Sequence, residues 1–425
     1  MVVLVTGATG FIGARLARAL ECAGHRVIRL RRTVARGSNE ITGDFSRDLE
    51  PKVWIPRLQG VDAVINTVGV IRAHGSQQFH NLHTRAPQAL FAACCAIGVR
   101  HVIQLSALGA DRGTSAYFIS KRRADEFLAS LPLRWTIVQP SLVYGPEGQS
   151  ARLFTLLASL PRIPLPGNGI QQVQPIHIDD LVECIVAIVH NDHASCERIA
   201  LVGPQPISLK HMLAALRGAM QLGRARFVPL PMGFIQVVAR LGSITGRGVV
   251  DMDTLAMLQK GNTADAQRTE QLLHHRPRGV EAFIGIDERT NVRMTAKLSW
   301  LLPLLRASIA AVWIWTGIVS LGLYPQHASY VLLARAHITG ALAPVFLYGA
   351  GLLDLCLGLA TVLMRRRRLL WLGQMAILLL YTAIICVALP EFWLHPYGPI
   401  LKNLPLLASI YLLYSLEDPR WRTAS

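Results

Sequence analysis

Hydrophobic and polar positions follow one rhythm over the first 300 residues and another over the rest. In the first part, short apolar runs at 2–6, 26–30, 63–67, 101–105 and 135–139 alternate with amphipathic stretches at 12–21, 87–97 and 121–130. Strand and helix in alternation at this spacing predict a doubly wound α/β fold, a parallel sheet with helices on both faces. Residues 140–290 are less regular and contain Pro/Gly-rich loops such as 160–169. They are read as the remaining sheet edge plus a small substrate-side subdomain.

From about residue 301 the apolar runs lengthen, at 301–323, 341–364, 369–389 and 400–416. A membrane-spanning helix takes about 20 such residues, so a four-helix transmembrane bundle over 300–420 is expected. A buried soluble core is the alternative, but these runs have almost no polar face to meet water. Arg293, Lys297 and Arg306 sit at the start of the first run, Arg365 to Arg368 separate the second and third, and Arg420 and Arg422 follow the fourth. The opposite loops hold only Arg335 and Lys402. The excess of Lys and Arg on cytoplasmic loops then places both termini and the domain over residues 1–295 in the cytoplasm, with the bundle in a bacterial inner membrane.

Composition agrees with a membrane protein. Charged residues make up 16% and hydrophobic ones 52%, with a mean hydropathy of +0.36, where a soluble domain carries about 25% charge. The net charge of +17 is not gathered into basic blocks interleaved with aromatics, so no nucleic-acid partner is expected. Anionic lipid explains it. The seven cysteines show no CxxC pair and no Cys/His metal spacing, so neither a disulfide framework nor a metal site is expected. The opening residues lack a basic stretch, and Gly7 and Gly10 break the apolar run, so no signal peptide is expected there.

Three local patterns carry chemistry. Thr6, Gly7, Thr9, Gly10, Phe11, Ile12 and Gly13 lie where an apolar strand turns through glycines into an amphipathic helix. Gly7 permits the turn, Gly10 lets a pyrophosphate approach the backbone, and Gly13 lets the helix pack on the strand. At the end of the second strand, Arg31 and Arg32 stand where an NAD-binding unit usually has an acid. That favours the 2′-phosphate of NADP, with NAD the alternative if the arginines are only solvated charges. Ser106 ends the fourth strand, and Tyr117 and Lys121 follow as a Tyr-x-x-x-Lys pair on one helical face. A nearby ammonium is expected to lower the phenol's pKa and fit it for acid–base work, with Ser106 hydrogen-bonding the substrate oxygen.

These residues resemble the extended or atypical short-chain dehydrogenase/reductase superfamily. The resemblance rests on TGATGFIG at 6–13, VINTVG at 64–69, QLSALGA at 104–110, YFISK at 117–121, QPSLVYGP at 139–146 and PIHIDDL at 175–181. It implies a Rossmann fold, Ser106, Tyr117 and Lys121 as the catalytic trio, Lys121 on the nicotinamide ribose, Asn66 beside the cofactor and Pro140 on the nicotinamide side. SALGA and PIHIDD resemble especially the subgroup related to the Rossmann-like accessory subunit of respiratory complex I, in which the dinucleotide is often structural. His177, Asp179 and Asp180 invite a metal reading, but the resemblance makes them a turn and helix start, with Asp as the N-cap.

Residues 300–420 resemble the DoxX-like membrane family through EFWLHPYGP at 391–399 and LKNLP at 401–405. Asp354, in the middle of the second run, is expensive there unless it faces the bundle interior. It is expected either to gather with Arg335, His337, Glu391 and His395 as a site or to hydrogen-bond a neighbouring helix. Trp313, Trp315, Trp371 and Trp393 are expected as interface anchors. The leading reading is a membrane-anchored NAD(P)-dependent oxidoreductase acting on a lipophilic, quinone- or isoprenoid-like carbonyl or alcohol. The alternative is a non-catalytic dinucleotide module that senses redox state or assembles with a membrane protein partner.

Overall fold

Apolar runs without alternation suit strands covered on both faces, and seven parallel strands form the main sheet of the first unit. In the computed structural model, residues 1–33, 37–70, 80–190, 195–237 and 261–417 are described. The chain divides into two units, Met1–Ala296 and Lys297–Ser425. The strands are β1 (Val2–Thr6), β2 (Arg26–Arg31), β3 (Glu40–Thr42), β4 (Ala63–Asn66), β5 (His101–Leu105), β6 (Trp135–Pro140) and β7 (Glu197–Leu201). They lie in the order β7-β6-β5-β4-β1-β2-β3. The order reverses between β1 and β4, where Thr6 pairs with Asn66 at the carboxyl ends, the place where open α/β sheets bind ligands.

The first unit's longer helices are α1 (Phe11–Cys22), α2 (Ala86–Ile97), α3 (Ala116–Ala129), α4 (Gln149–Ser159), α5 (Ile178–His190), α6 (Leu209–Ala219) and α7 (Gln267–Leu273). Leu16, Leu20, Leu181, Ile185 and Leu272 bring α1, α5 and α7 onto one face of the sheet. Leu90, Phe91, Ala124 and Leu128 bring α2 and α3 onto the other. A third core around α4 and α6, with Leu213, Leu216 and Phe283, builds the subdomain beyond the strand ends. Two of the strands, β3 and β7, were not among the five apolar runs. β3 has only three residues, and β7 mixes Glu197 and Arg198 into its apolar run.

The second unit is helical. α8 (Arg289–Ile318) continues into a π-helical turn, Val319–Leu323, and is followed by α9 (Gln326–Arg335), α10 (Leu342–Leu363), α11 (Arg368–Ala388) and α12 (Asn403–Leu416). Among the described residues three helices are long and apolar enough to cross a membrane: Arg289–Leu323, Leu342–Leu363 and Arg368–Ala388. The expected fourth span is a 14-residue helix that rises about 21 Å, short of the ~30 Å hydrocarbon core. A turn through Leu401 and Lys402 delays its start. The stretch after the first span, read as loop, contains α9. Arg420 and Arg422 lie outside the described residues.

Glycines set the crossing of α8 and α10. A Cβ on Gly317 would stand 2.7 Å from the Gly351 carbonyl oxygen, and one on Gly358 would stand 2.5 Å from the Ile314 side chain. Trp313 and Trp371 are buried in this unit's core with Ile309, Leu378 and Ile410, and so are not interface anchors. Trp315 and Trp393 are exposed.

Candidate dinucleotide and proton-transfer site

The site begins where β1 turns into α1. Gly7 has φ +67°, a value that costs a side chain strain, and its carbonyl accepts the Gly10 N–H at 2.8 Å. A Cβ on Gly13 would lie 2.3 Å from that carbonyl oxygen and 2.6 Å from Thr67 Oγ1, so only glycine lets α1 sit this close to the strand ends. Gly10 is different: it is exposed, and a Cβ there would meet only the Gly7 oxygen, at 3.1 Å. Its lack of a side chain keeps a surface open at the helix start, and the first turn of α1 carries no acid. An anion fits this arrangement of open amides and positive dipole, and the residues present therefore fit a dinucleotide pyrophosphate. Thr9 is exposed and Ile12 half-buried at the same turn. Phe11 packs over Gly145 and Gly148, at the rim of the subdomain.

Thr6 and Asn66 lie beneath this loop. Thr6 Oγ1 donates to Asn66 Oδ1 at 2.6 Å, and Asn66 Nδ2 donates to Gln104 Oε1 at 2.7 Å. The clamp ties the ends of β1, β4 and β5 together, and it engages both ends of the Asn66 side chain within the protein. Pro140 closes β6; its carbonyl accepts the Leu108 N–H at 2.9 Å. On the other side of the switch point, Arg31 is paired with Glu40 of β3 at 2.6 Å, whereas Arg32 is exposed. The two arginines therefore do not act alike: Glu40 already balances one of them.

α3 presents Tyr117, Lys121 and Asp125 at four-residue spacing. Ser115 caps the helix by accepting the Phe118 N–H. Lys121 Nζ donates to the Leu105 carbonyl at 2.9 Å and the Val68 carbonyl at 3.4 Å, which sets the ammonium at the ends of β5 and β4. Burial pulls this lysine down to about 8, with Asp125 opposing the fall. Tyr117 departs from expectation. Burial, assisted by the Asp125 charge, pushes its phenol up to about 12, so the neighbouring lysine does not leave it acidic. The Ser106 hydroxyl, expected on the substrate oxygen, donates instead to Asp125. Asp125 itself is buried, and burial pushes its carboxyl up to about 6 against the pull of Ser106 and Lys121.

His83, absent from the sequence reading, belongs to the same cluster. Its Nε2 accepts the Val70 N–H at 2.9 Å, so the ring proton sits on Nδ1, 3.0 Å from Ser120 Oγ. Ser120 in turn donates to the Tyr117 carbonyl at 2.7 Å, and the two rings of His83 and Tyr117 meet edge to face at 5.6 Å. Burial, with the Lys121 charge, pushes the imidazole down to about 2. A lone His in a helical period gives no signal of such a role.

The acidic pair after β6 has a structural task, but not the expected one. His177 Nδ1, rather than an Asp, accepts the Asp179 N–H at the start of α5, at 3.3 Å. Asp180 is buried and accepts the Arg278 N–H at 2.8 Å. In the second unit Asp354 is buried and takes the Tyr381 hydroxyl at 3.3 Å, while Arg335 pairs with Glu391 at 2.5 Å. His395 stacks on Phe392 with ring centres 5.8 Å apart. Among the described residues no hydrogen bond or ion pair joins Asp354 to Glu391 or His395, so of the two expectations for Asp354 the structure has the hydrogen bond to a neighbouring helix and not the gathered cluster.

Comparison with known proteins follows this division. Residues 3–203 match the NAD dependent epimerase/dehydratase family, and residues 310–411 match the DoxX-like family. The chain is similar to the ceramide reductase of Caulobacter vibrioides, 30% identical over 197 residues, covering 44% of this chain and 60% of that protein. It is similar to NADH dehydrogenase (ubiquinone) 1 alpha subcomplex subunit 9 of Arabidopsis thaliana, 26% identical over 259 residues, covering 56% and 62%. The chain thus spans about three fifths of the length of both relatives. The crystal structure of UDP-glucuronic acid 4-epimerase from Bacillus cereus shares the fold at a TM-score of 0.51 and 19% identity, covering 71% of this chain and all of that one.

Proposed function

From a chain that joins an epimerase/dehydratase-type Rossmann domain to a DoxX-like membrane domain, we propose a membrane-anchored oxidoreductase that reduces a lipophilic carbonyl with NADPH. Residues 1–295 would hold the dinucleotide, with the substrate side within 140–290, and residues 300–420 would hold the chain in the membrane. The observation that carries the reading is the pairing on α3: Tyr117 shares a helical face with Lys121, whose Nζ sits at the ends of β4 and β5. A bound nicotinamide supplies the hydride. Gly7, Gly10 and Gly13 admit the pyrophosphate, and Lys121 orients the ribose beside it. Tyr117, kept protonated by a pKa raised to about 12, gives its proton to the oxygen that gains charge. A phenol of that kind is protonated at neutral pH, the state from which a proton donor starts. A relative named as a ceramide reductase supports a lipid-like substrate.

The full-length chain in detergent, supplied with NADPH and lipid extract from its own membrane, tests the reading. Tyr117→Phe keeps the ring and removes the proton. It should bind NADPH normally and lose turnover by a factor on the order of 100 or more. Unchanged turnover would take the proton-donor role from Tyr117, and a parent chain that oxidises no NADPH would leave the non-catalytic module, a reading that the engagement of Ser106 by Asp125 favours. Such a module would serve a membrane protein partner.

Cofactor choice rests on Arg32, exposed beyond the Arg31–Glu40 pair. Arg32→Ala should weaken NADPH by about 1–3 kcal/mol, the scale of a charged hydrogen bond, and leave NADH nearly untouched. Equal weakening of the two nucleotides in a binding titration would return the choice to NAD.

A further inference from the structure

Asp125 continues the line of ionisable side chains on α3: Tyr117, Lys121 and Asp125 are four residues apart and share one face. A fully buried carboxylate requires partners. One oxygen of Asp125 takes the Ser106 hydroxyl, and the other, Oδ1, has no hydrogen-bond partner among the described residues. The charged and titratable groups that act on it are Lys121 and Tyr117 from its own helix, Arg198 from β7, and Asp111 from the loop after β5. Arg198 is committed to Asp111 at 2.6 Å. Lys121, whose hydrogen bonds run to two uncharged backbone carbonyls, is left as the cation that balances the buried acid.

We propose that Asp125 is a positioning residue of this site, holding the Ser106 hydroxyl inside the protein and keeping Lys121 positively charged at the strand ends. The serine then acts on the acid rather than on a substrate. Its O–H favours the ionised carboxylate, and the carboxylate favours the ammonium that would meet the ribose. The inference rests on the reading of Lys121 as part of the dinucleotide site, but its test needs no turnover.

The chain has six lysines, few enough to follow one by one. The full-length protein in detergent, carrying carbon-13 at the lysine ε-carbons, is titrated by NMR, with Lys121→Arg assigning the signal. Asp125→Asn should lower the Lys121 midpoint by about one pH unit, the scale of a lost neighbouring charge, and Asp125→Glu should restore it. An unmoved midpoint in Asp125→Asn overturns the proposal. If the asparagine variant does not fold, the reciprocal measurement decides. In Lys121→Met the infrared carbonyl band of protonated Asp125 should persist to higher pH than in the parent, and a band with the parent's pH dependence overturns the proposal. Coupled titrations in a parent chain that oxidises no NADPH would leave this inference standing and remove the enzyme reading.

Discussion

His83 is the residue through which acid should reach the dinucleotide unit. It is neutral in the fold, with a pKa pushed from 6.5 down to about 2. The unfolded chain therefore binds a proton below about pH 6.5 that the folded chain refuses. The stability His83 contributes is fully present above that pH and drains away as pH falls, by at most ~1.4 kcal/mol for each unit. His25 and His177 are also pushed down by burial and act in the same direction. His83→Gln keeps an acceptor for the Val70 N–H. Its unfolding midpoint, followed from pH 7 to pH 5, should fall less steeply than the parent's by up to one proton's worth. An identical slope would mean that His83 is not the group that takes up the proton. Nothing in the local sequence, His80-Asn81-Leu82-His83-Thr84, distinguishes the buried histidine from the one three residues before it. Burial is decided by where the π-helical turn over His80–Arg85 delivers each ring.

At the level of elements, periodicity predicted what periodicity controls. The Tyr-x-x-x-Lys spacing placed both side chains on one face of α3, and the same period extends to Asp125. The meeting of Asp125 with Ser106 was not legible, because no spacing says which acid a strand-end serine will face. The membrane runs show the same limit. Apolar length marks three spans clearly, but α12 is cut to 14 residues by the turn at Leu401 and Lys402, which hydropathy does not register. The clustering of arginines between α10 and α11 still predicts that this connection faces the cytoplasm. Reporter fusions after Leu323 and Leu389 should read outside, and one after Arg368 inside; an outside signal after Arg368 would reverse the bundle.

For the molecule as a whole, the Rossmann start was the most legible feature, because its glycines answer to geometry that a single Cβ would break. Gly13 shows this directly, with no room for a methyl beside the Gly7 carbonyl. Whether the end of β2 reads a 2′-phosphate was less legible, since Glu40, nine residues beyond Arg31, balances that arginine across a strand pair. The second unit has its own long-range closure. Glu417, just beyond α12, binds Arg306 at 2.8 Å, lies 3.7 Å from Arg367, and takes the Trp371 indole N–H at 2.8 Å. A half-buried arginine without its counter-charge is costly, and Arg306 and Arg367 are both made well before Glu417. During synthesis they wait, and the helices that carry them gain this closure only once the chain has been read through residue 417. A chain that stops short of that codon therefore carries Arg306 and Arg367 without the carboxylate that joins the start of the bundle to its last helix.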